Sequence, residues 1–474
     1  MYGLMMQEPL LVSSLIRYAD RFHGDTEVVS RRVEGDIHRT TYREIHRRAR
    51  QLGNLLLARG VKPGDRIATL AWNGYRHLEL YFAISGIGAV MHTVNPRLHP
   101  GQIAWICNHA HDTWLFYDIT FQPLVDAFAG QCPALANLVV MTDASHMPAA
   151  KAPGVVAYED LVAEGSPDLE WPQFDENTAS SLCYTSGTTG DPKGVLYSHR
   201  TTLLHTLAGV SPDVLGLSGS EVVLPVVPMF HVNAWGIPYM AAMVGAKLVM
   251  PGASLDGASL YELFESEGVT VSAGVPTVWQ GLLNHVEQNK LTFSSMRRTV
   301  IGGSACPPAM IEIFENKYDV KVLHAWGMTE TSPIGSASAL KPKHRGMTKE
   351  QVLAIKRKQG RAPFGMDMKL VGSDGKEQPW DGKSEGELMV RGLWVMRSYF
   401  GRDEDPLVDG WFPTGDVCTL DPDGYIQITD RSKDVIKSGG EWISSIEIEN
   451  IAMAHPSVAM AACIAVPHPK WDER

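Results

Sequence analysis

SSLCYTSGTTGDPKGVLYSHR, residues 180–200, joins an apolar run to a dense set of small hydrogen-bonding residues around one cation. Thr185, Ser186, Thr188 and Thr189 alternate with Gly187, Gly190 and Gly194, and Lys193 stands among them. SSLCYT reads as a buried strand, and VLYSHR resumes an apolar pattern. Glycines let backbone N–H groups approach a ligand closely, and hydroxyls add donors. With Lys193 this set suits a polyanion such as a triphosphate. A strand that delivers a Gly/Thr loop is a recurring place to find phosphates. The Walker pattern GxxxxGK[ST] is not met, since Pro192 precedes and Gly194 follows the lysine. A solvated surface turn is the competing reading, because Gly, Ser, Thr, Asp and Pro are common turn residues. The apolar runs on both sides weigh against it.

On either side of this stretch the chain alternates strand and helix. Thr41-x-x-Glu44 reads as a capping box opening a helix that stops at Gly60. RIATLAW, VMHTVN, TWLFYD and NLVVMTD read as strands, and HLELYFAISGIGA as a helix between the first two. The alternation returns in AKLVMPG, LYELFESEGV and VSAGVP. Such spacing predicts a parallel α/β layer. After residue 340 the texture changes. Residues 341–365 are charged and turn-rich, and MDMKLVG, GELMVRG and YIQITD read as short strands of a smaller β-rich subdomain. The predicted boundaries are 1–340 for two α/β subdomains and 341–431 for the β-rich one. A hinge is expected over 432–440, and 441–474 reads as one helix and one strand, too little for an independent domain.

Composition bounds the function. Of 474 residues, 44% are hydrophobic and 20% charged, which fits a folded globular chain. A formal charge of -11 offers no basic field for nucleic acid. Six scattered cysteines, with no CxxC pair, are expected to be reduced thiols. The N-terminus lacks a basic region followed by a cleavage site, and no stretch is apolar enough to span a membrane. A cytoplasmic protein is expected, with peripheral membrane contact left open.

Five stretches now stand in order: YTSGTTGDPKG (184–194), PMFHVNAW (228–235), GGSACP (302–307), AWGMTE (325–330), and DGWFPTGD (409–416) with YIQITDRSKDVIKSGGEW (425–442). Together they resemble the motifs of the adenylate-forming enzymes: acyl-CoA synthetases, luciferases and peptide-synthetase adenylation domains. The likeness runs over essentially the whole chain and is closest to medium- and long-chain fatty acyl-CoA synthetases, especially the medium-chain ligases of bacterial alkane degradation. It implies an α/β fold, with αβαβα-type layered subdomains, a small distorted β-barrel subdomain, and a C-terminal α+β domain that is mostly absent. It also implies two half-reactions. A fatty acid carboxylate attacks the α-phosphate of ATP, giving acyl-AMP and pyrophosphate, and the thiol of coenzyme A then displaces AMP.

The resemblance assigns roles. Thr185, Ser186, Gly187, Thr188, Thr189, Gly190 and Lys193 would hold the β- and γ-phosphates. Glu330 and Thr185 would bind Mg²⁺, a hard cation that takes oxygen ligands, and Thr329 would donate to the α-phosphate. Trp326, standing where many relatives have Tyr, would stack on adenine beside His324, Ala325 and Gly327. Gly303, Ser304 and Ala305 would wall the adenine and acyl carbonyl side. Asp416 would accept from the ribose hydroxyls, with Arg431 opposite and Ile428 nearby. Lys433 would sit at the hinge, Lys437 and Trp442 near nucleotide or thiol, and Ser438, Gly439 and Gly440 along the coenzyme A tunnel. His231, Val232, Trp235 and Gly303 would form the acyl pocket and its gate. Read from the residues alone, His231 and Trp235 could equally be core, and the lysines could be exposed surface. The catalytic set implied is Thr185, Lys193, His231 and Glu330.

HVNAWGIPYM carries no acid to pair with a substrate ammonium, so the acid's tail is expected to be apolar. An aryl- or cinnamoyl-CoA ligase, a light-emitting relative, and a nucleotide-binding protein without turnover stay open as readings. A homodimer is a further expectation from the family. The family's second lysine, in a Pro-x-x-x-x-Gly-Lys stretch, has no counterpart after the hinge here, which leads to the expectation of slow adenylate formation by this 474-residue chain.

Overall fold

Alternating side chains along the strands sort the core into layers. The computed structural model describes residues 1, 3–185, 191–431, 436–438, 441–443, 445, 448, 452, 458, 461–468 and 472–473. One sheet has seven strands in the spatial order Val156–Ala157, Asn137–Val140, Trp114–Tyr117, Arg66–Leu70, Val90–Thr93, Ala179–Thr185, Lys193–Ser198. All its neighbours are parallel except the last pair. A second sheet has eight, in the order Ile334–Ala337, Lys321–Gly327, Arg298–Ile301, Val271–Gly274, Val222–Pro225, Lys247–Met250, Glu27–Arg31, Ile37–Thr41. Only its two edge strands run antiparallel to their neighbours. The strands expected before residue 432 are all present, whereas of the one expected within 441–474 residues 461–466 are not strand and only the short Pro467–His468 is. The hairpin Glu27–Thr41 was not anticipated, because its partner Lys247–Met250 lies far along the chain.

Ile67, Phe116 and Val139 of the first sheet face Val28, Val223, Leu248 and Val300 of the second across one shared core. That core holds the helices Val12–His23, Tyr42–Ala58, Tyr75–Gly86 and Ile237–Val244. The alternate residues turn outward. Ala68, Leu115 and Val140 meet the helices Pro100–Ala110 and Gln122–Phe128. Val29, Leu224, Val249 and Ile301 meet the helices Gly257–Glu267 and Pro276–Gln288. The layering is therefore α, β, α, β, α, and both faces of each parallel sheet are covered. Helix Tyr42–Ala58 starts where expected, with the Glu44 N–H donating to Thr41 Oγ1 at 3.4 Å. Only half of the capping box forms, because the Glu44 carboxylate pairs with Arg47 instead. Gly60, at φ +87°, closes that helix in the left-handed conformation its type permits.

The β-rich region is a four-stranded antiparallel meander, Met366–Val371, Glu385–Gly392, Phe412–Leu420 and Ile426–Arg431. It differs from the expected barrel: among the described residues no ladder joins its first and last strands. Its apolar face closes against other elements instead. Leu370, Leu388, Val390 and Ile426 share a core with Cys183, Val195, Tyr197 and Trp326. The charged stretch 341–365, expected as turns, contains the helix Lys349–Lys356, capped by Thr348. Beyond Arg431 the strands Ile436–Ser438, Glu441–Ile443, Asp472–Glu473 and Pro467–His468 form a short sheet. Lys433, Gly439, Gly440 and most of the helix expected after residue 443 lie outside the described residues.

Candidate active site

Parallel strands leave a crevice beyond their carboxyl ends, and several such ends converge here. Val222–Pro225 runs into Val226–Phe230, Val271–Gly274 into Val275, Arg298–Ile301 into Gly302 and Gly303, and Lys321–Gly327 into Thr329 and Glu330. These segments line one cavity of about 1030 Å³. Thr185, at the end of its own strand, and Lys193, at the start of the next, line the same cavity. The meander closes it with Thr414, Gly415 and Arg431.

Thr185 and Lys193 are paired across the antiparallel ladder, so the loop between them springs from this wall. Its residues Ser186, Gly187, Thr188, Thr189 and Gly190 lie outside the described ones. The Lys193 ammonium sits 4.9 Å from the centre of the Tyr399 ring, a cation–π contact. The Tyr399 hydroxyl donates to Glu330 Oε1 at 2.7 Å. Glu330 is only 6% exposed, and burial raises its pKa, with the Tyr399 bond, Lys193 and Arg431 pulling the other way. Among the described residues Tyr399 is the one side-chain donor to its carboxylate. A desolvated carboxylate that lines the same cavity as Thr185 fits a hard divalent cation.

Across the cavity, Trp326 Nε1 donates to Asp416 Oδ2 at 2.8 Å, and Arg431 Nε lies 2.9 Å from Asp416 Oδ1. Burial raises the Asp416 pKa, opposed by Arg431 and by the indole N–H. Trp326 can lie where it does because residue 335 is glycine: a Cβ there would stand 2.2 Å from Trp326 Cζ3. Gly335→Ala is therefore expected to push the indole off its wall. Overpacking costs about 1–3 kcal/mol, and ATP titrations should show a KM raised by about tenfold or more, with a lowered melting temperature.

Other expected residues stand farther back. His324 is 1% exposed and does not line the cavity. Its Nε2 accepts from the Cys306 N–H at 3.2 Å and its Nδ1 lies 3.1 Å from the Arg357 carbonyl oxygen. It props the 302–307 loop from behind, and burial lowers its pKa to about 4, keeping the ring neutral. Gly303 lines the cavity, whereas Ser304 and Ala305 are exposed residues outside its lining. The Ile428 side chain packs against the meander's core, and its N–H donates to Gln359 Oε1 at 2.7 Å. Lys437 and Trp442 are cross-strand partners on the short sheet.

The stretch expected at the acyl pocket forms an unusual turn. Val232, Asn233, Ala234 and Trp235 have φ of +44°, +49°, +49° and +56°, followed by Gly236 at +77°. Left-handed backbone costs roughly 1–2 kcal/mol for each L-residue. Its result is that Trp235 stands against the glycines after Ile301, where a Cβ on Gly302 would lie 3.2 Å from Trp235 Cη2. His231 opens onto the cavity, and enclosure by its walls, reinforced by the Arg97 charge, lowers its pKa toward a neutral imidazole.

Three supporting residues escaped the sequence reading. Tyr399 bridges Lys193 and Glu330 from a stretch without a motif. Tyr197 donates to the Thr329 carbonyl at 2.6 Å. Asn73 binds the carbonyls of Pro225 and Val227 at 2.9 Å each and accepts from the Met229 N–H at 2.6 Å. A lone Asn after the strand RIATL carries no periodic signal. Only the buried setting shows what it clamps.

The family model described as AMP-binding enzyme matches residues 15–400. The chain belongs to this family. As an AMP-binding enzyme it is 56% identical, over all of its length and 88% of the relative's, to a 3-methylmercaptopropionyl-CoA ligase of Ruegeria lacuscaerulensis. It is 52% identical, over all of its length and 87% of the relative's, to a medium-chain-fatty-acid–CoA ligase of Ectopseudomonas oleovorans. Among solved structures, an anthranilate CoA ligase in complex with anthranoyl-AMP superposes with a TM-score of 0.85 at 25% identity, covering 98% of this chain and 86% of that one. No described helix of this AMP-binding enzyme is long and apolar enough to cross a membrane.

Proposed function

We propose that this AMP-binding enzyme is an acyl-CoA ligase that activates medium- to long-chain fatty acids. Acyl-CoA ligation is named for both of the sequence relatives above. The observation that carries the finer reading is the apolar set Val214, Leu215, Val232, Trp235, Val278 and Ile334 in the cavity wall, while its lining carboxylates, Glu330 and Glu387, come from the segment after Lys321–Gly327 and from the meander. A substrate ammonium there would stay unpaired at a large cost, whereas each buried CH₂ contributes about 0.8 kcal/mol.

In the first half-reaction a carboxylate oxygen attacks the α-phosphorus, and the bond from that phosphorus to the pyrophosphate oxygen breaks. Two anions must meet, so charge is the obstacle. Lys193 and the Thr185 hydroxyl face the phosphates, Asp416 accepts from the ribose, and Trp326 offers adenine a flat face. Mg²⁺, held by Glu330 and Thr185, would neutralise phosphate charge as pyrophosphate departs. In the second half-reaction the sulfur of coenzyme A attacks the acyl carbonyl, and the bond to the AMP oxygen breaks. His231, neutral, orients the carboxylate and then leaves room for the sulfur. In this reading residues 1–431 form the body of the enzyme and 432–440 its pivot.

Trp235 gates the acyl tunnel. Trp235→Ala should broaden chain-length use or release pyrophosphate without thioester, read from acids of increasing length. An unchanged profile with a large loss of melting temperature would make Trp235 plain core. The 56% identity to a 3-methylmercaptopropionyl-CoA ligase favours a second reading, a short thioether acid. Comparing kcat/KM for that acid with octanoate decides between them.

A further inference from the structure

We propose that Asn233 is a positioning residue for the acyl gate: its carboxamide latches the left-handed turn Val232–Trp235 to the strand Ala179–Thr185 and so sets where His231 and Trp235 stand. The proposal rests on the gate reading of Trp235 given above.

A run of left-handed residues that includes a β-branched valine does not hold itself, so something outside the turn must hold it. Asn233 Nδ2 donates to Ser181 Oγ at 2.8 Å. The Cys183 thiol donates to Asn233 Oδ1 at 3.4 Å, and Thr93 Oγ1 lies 3.3 Å from the same sulfur. Ser181, Cys183, Thr93 and Asn233 are all buried. Burial keeps the thiol protonated, with a pKa near 11, so it remains a donor. The residue type matches the task twice. Asparagine is among the few non-glycine residues that adopt positive φ readily, and its amide supplies a donor and an acceptor at once.

The latch is placed to act on the gate alone. Asn73 already fixes the chain up to Met229 through its bonds to residues 225, 227 and 229. What remains free to change hand is 231–236, the segment carrying the imidazole and the indole. A right-handed turn there would draw Trp235 off Gly302 and Gly303. The strand that anchors the latch ends at Thr185, on the nucleotide wall. The acyl gate and the phosphate-facing hydroxyl are thereby set by one strand.

Two variants test this against Trp235→Ala as reference. Asn233→Gly keeps the backbone's freedom at positive φ but removes both side-chain bonds. Ser181→Ala removes the anchor and leaves the turn's own residues untouched, so it serves if the glycine variant does not fold. Each is expected to raise the KM for acid about tenfold, the equivalent of a buried hydrogen bond. The KM for ATP should stay within about twofold. Each should also shift the chain-length profile as Trp235→Ala does, and the double variant should add nothing to the singles. If folded variants keep the wild-type acid KM and length profile while Trp235→Ala alters them, the latch is overturned and the gate stands. If both KM values rise together with a lowered melting temperature, Asn233 is structural and the proposal is overturned. If Trp235→Ala is itself silent, the gate reading falls and takes the latch with it.

Discussion

Glu330→Ala is expected to lower acid-dependent pyrophosphate release by about 10²–10³-fold, the usual effect of removing one well-placed charge partner in a dry site. Glu330 is 6% exposed, and among the described residues Tyr399 is its one side-chain donor. In the proposed reading its carboxylate is a ligand of the cation. Raising Mg²⁺ should rescue the variant in part, and a wild-type rate at low Mg²⁺ would contradict the role. The same burial has a consequence for stability. The folded-state pKa of Glu330 is raised, so the folded chain holds the proton more tightly than the unfolded one. The stability gained from that proton is complete below the ordinary glutamate value and is lost as pH rises through the raised one. Without nucleotide, Glu330→Gln, which cannot ionise, should therefore melt higher than wild type at pH 8 and by a smaller margin near pH 4. An equal or lower melting temperature at pH 8 would mean that Lys193 and Arg431 already compensate the charge.

Asp416→Ala is expected to raise the KM for ATP by about 10²-fold or more, since each hydrogen bond to a charged group is worth about 1.5–3 kcal/mol. In the proposed reading the substitution removes the acceptor for the ribose, and it also frees the Trp326 N–H and Arg431 together. Asp416→Asn separates these effects. It can still accept from the indole, so adenine stacking persists while charge toward Arg431 is gone. Its ATP KM should fall between wild type and alanine. Identical values for both variants would place the whole effect on charge.

The fold was legible where its signal was local. Strands such as TWLFYD and NLVVMTD announced themselves by apolar β-branched and aromatic runs, and helix Tyr42–Ala58 by Thr41 and Gly60. Pairings between distant segments were not legible. Glu27–Arg31 and its hairpin partner Ile37–Thr41 join a sheet whose other six strands lie beyond residue 221, and no local pattern encodes that. The barrel expectation came from resemblance and missed that the meander closes on Tyr197 and Trp326 rather than on itself. In the site, Lys193, Glu330, Trp326, Asp416 and Arg431 were legible because their motifs are dense and ordered. That Lys193, Glu330, Trp326 and Arg431 line one cavity, with Asp416 buried behind Trp326 and Arg431, is a matter of geometry. Tyr399, Asn73 and the bond from Asn233 to Ser181 were not legible, because a hydrogen bond between distant segments leaves no periodicity in the sequence. His324 shows the converse: a motif position whose ring is spent on supporting a loop.

The most direct measurement is a joint assay of pyrophosphate and thioester on one enzyme sample, with ATP, Mg²⁺ and coenzyme A. The acids run from acetate to palmitate, with 3-methylmercaptopropionate, benzoate and cinnamate alongside. One pyrophosphate is expected for each thioester, with a kcat/KM that climbs about fourfold for each added CH₂, the equivalent of about 0.8 kcal/mol, until the tunnel ends at medium or long chain. A preference for the aryl acids, a profile indifferent to chain length, or ATP binding without pyrophosphate release would overturn the assignment as a fatty acid ligase.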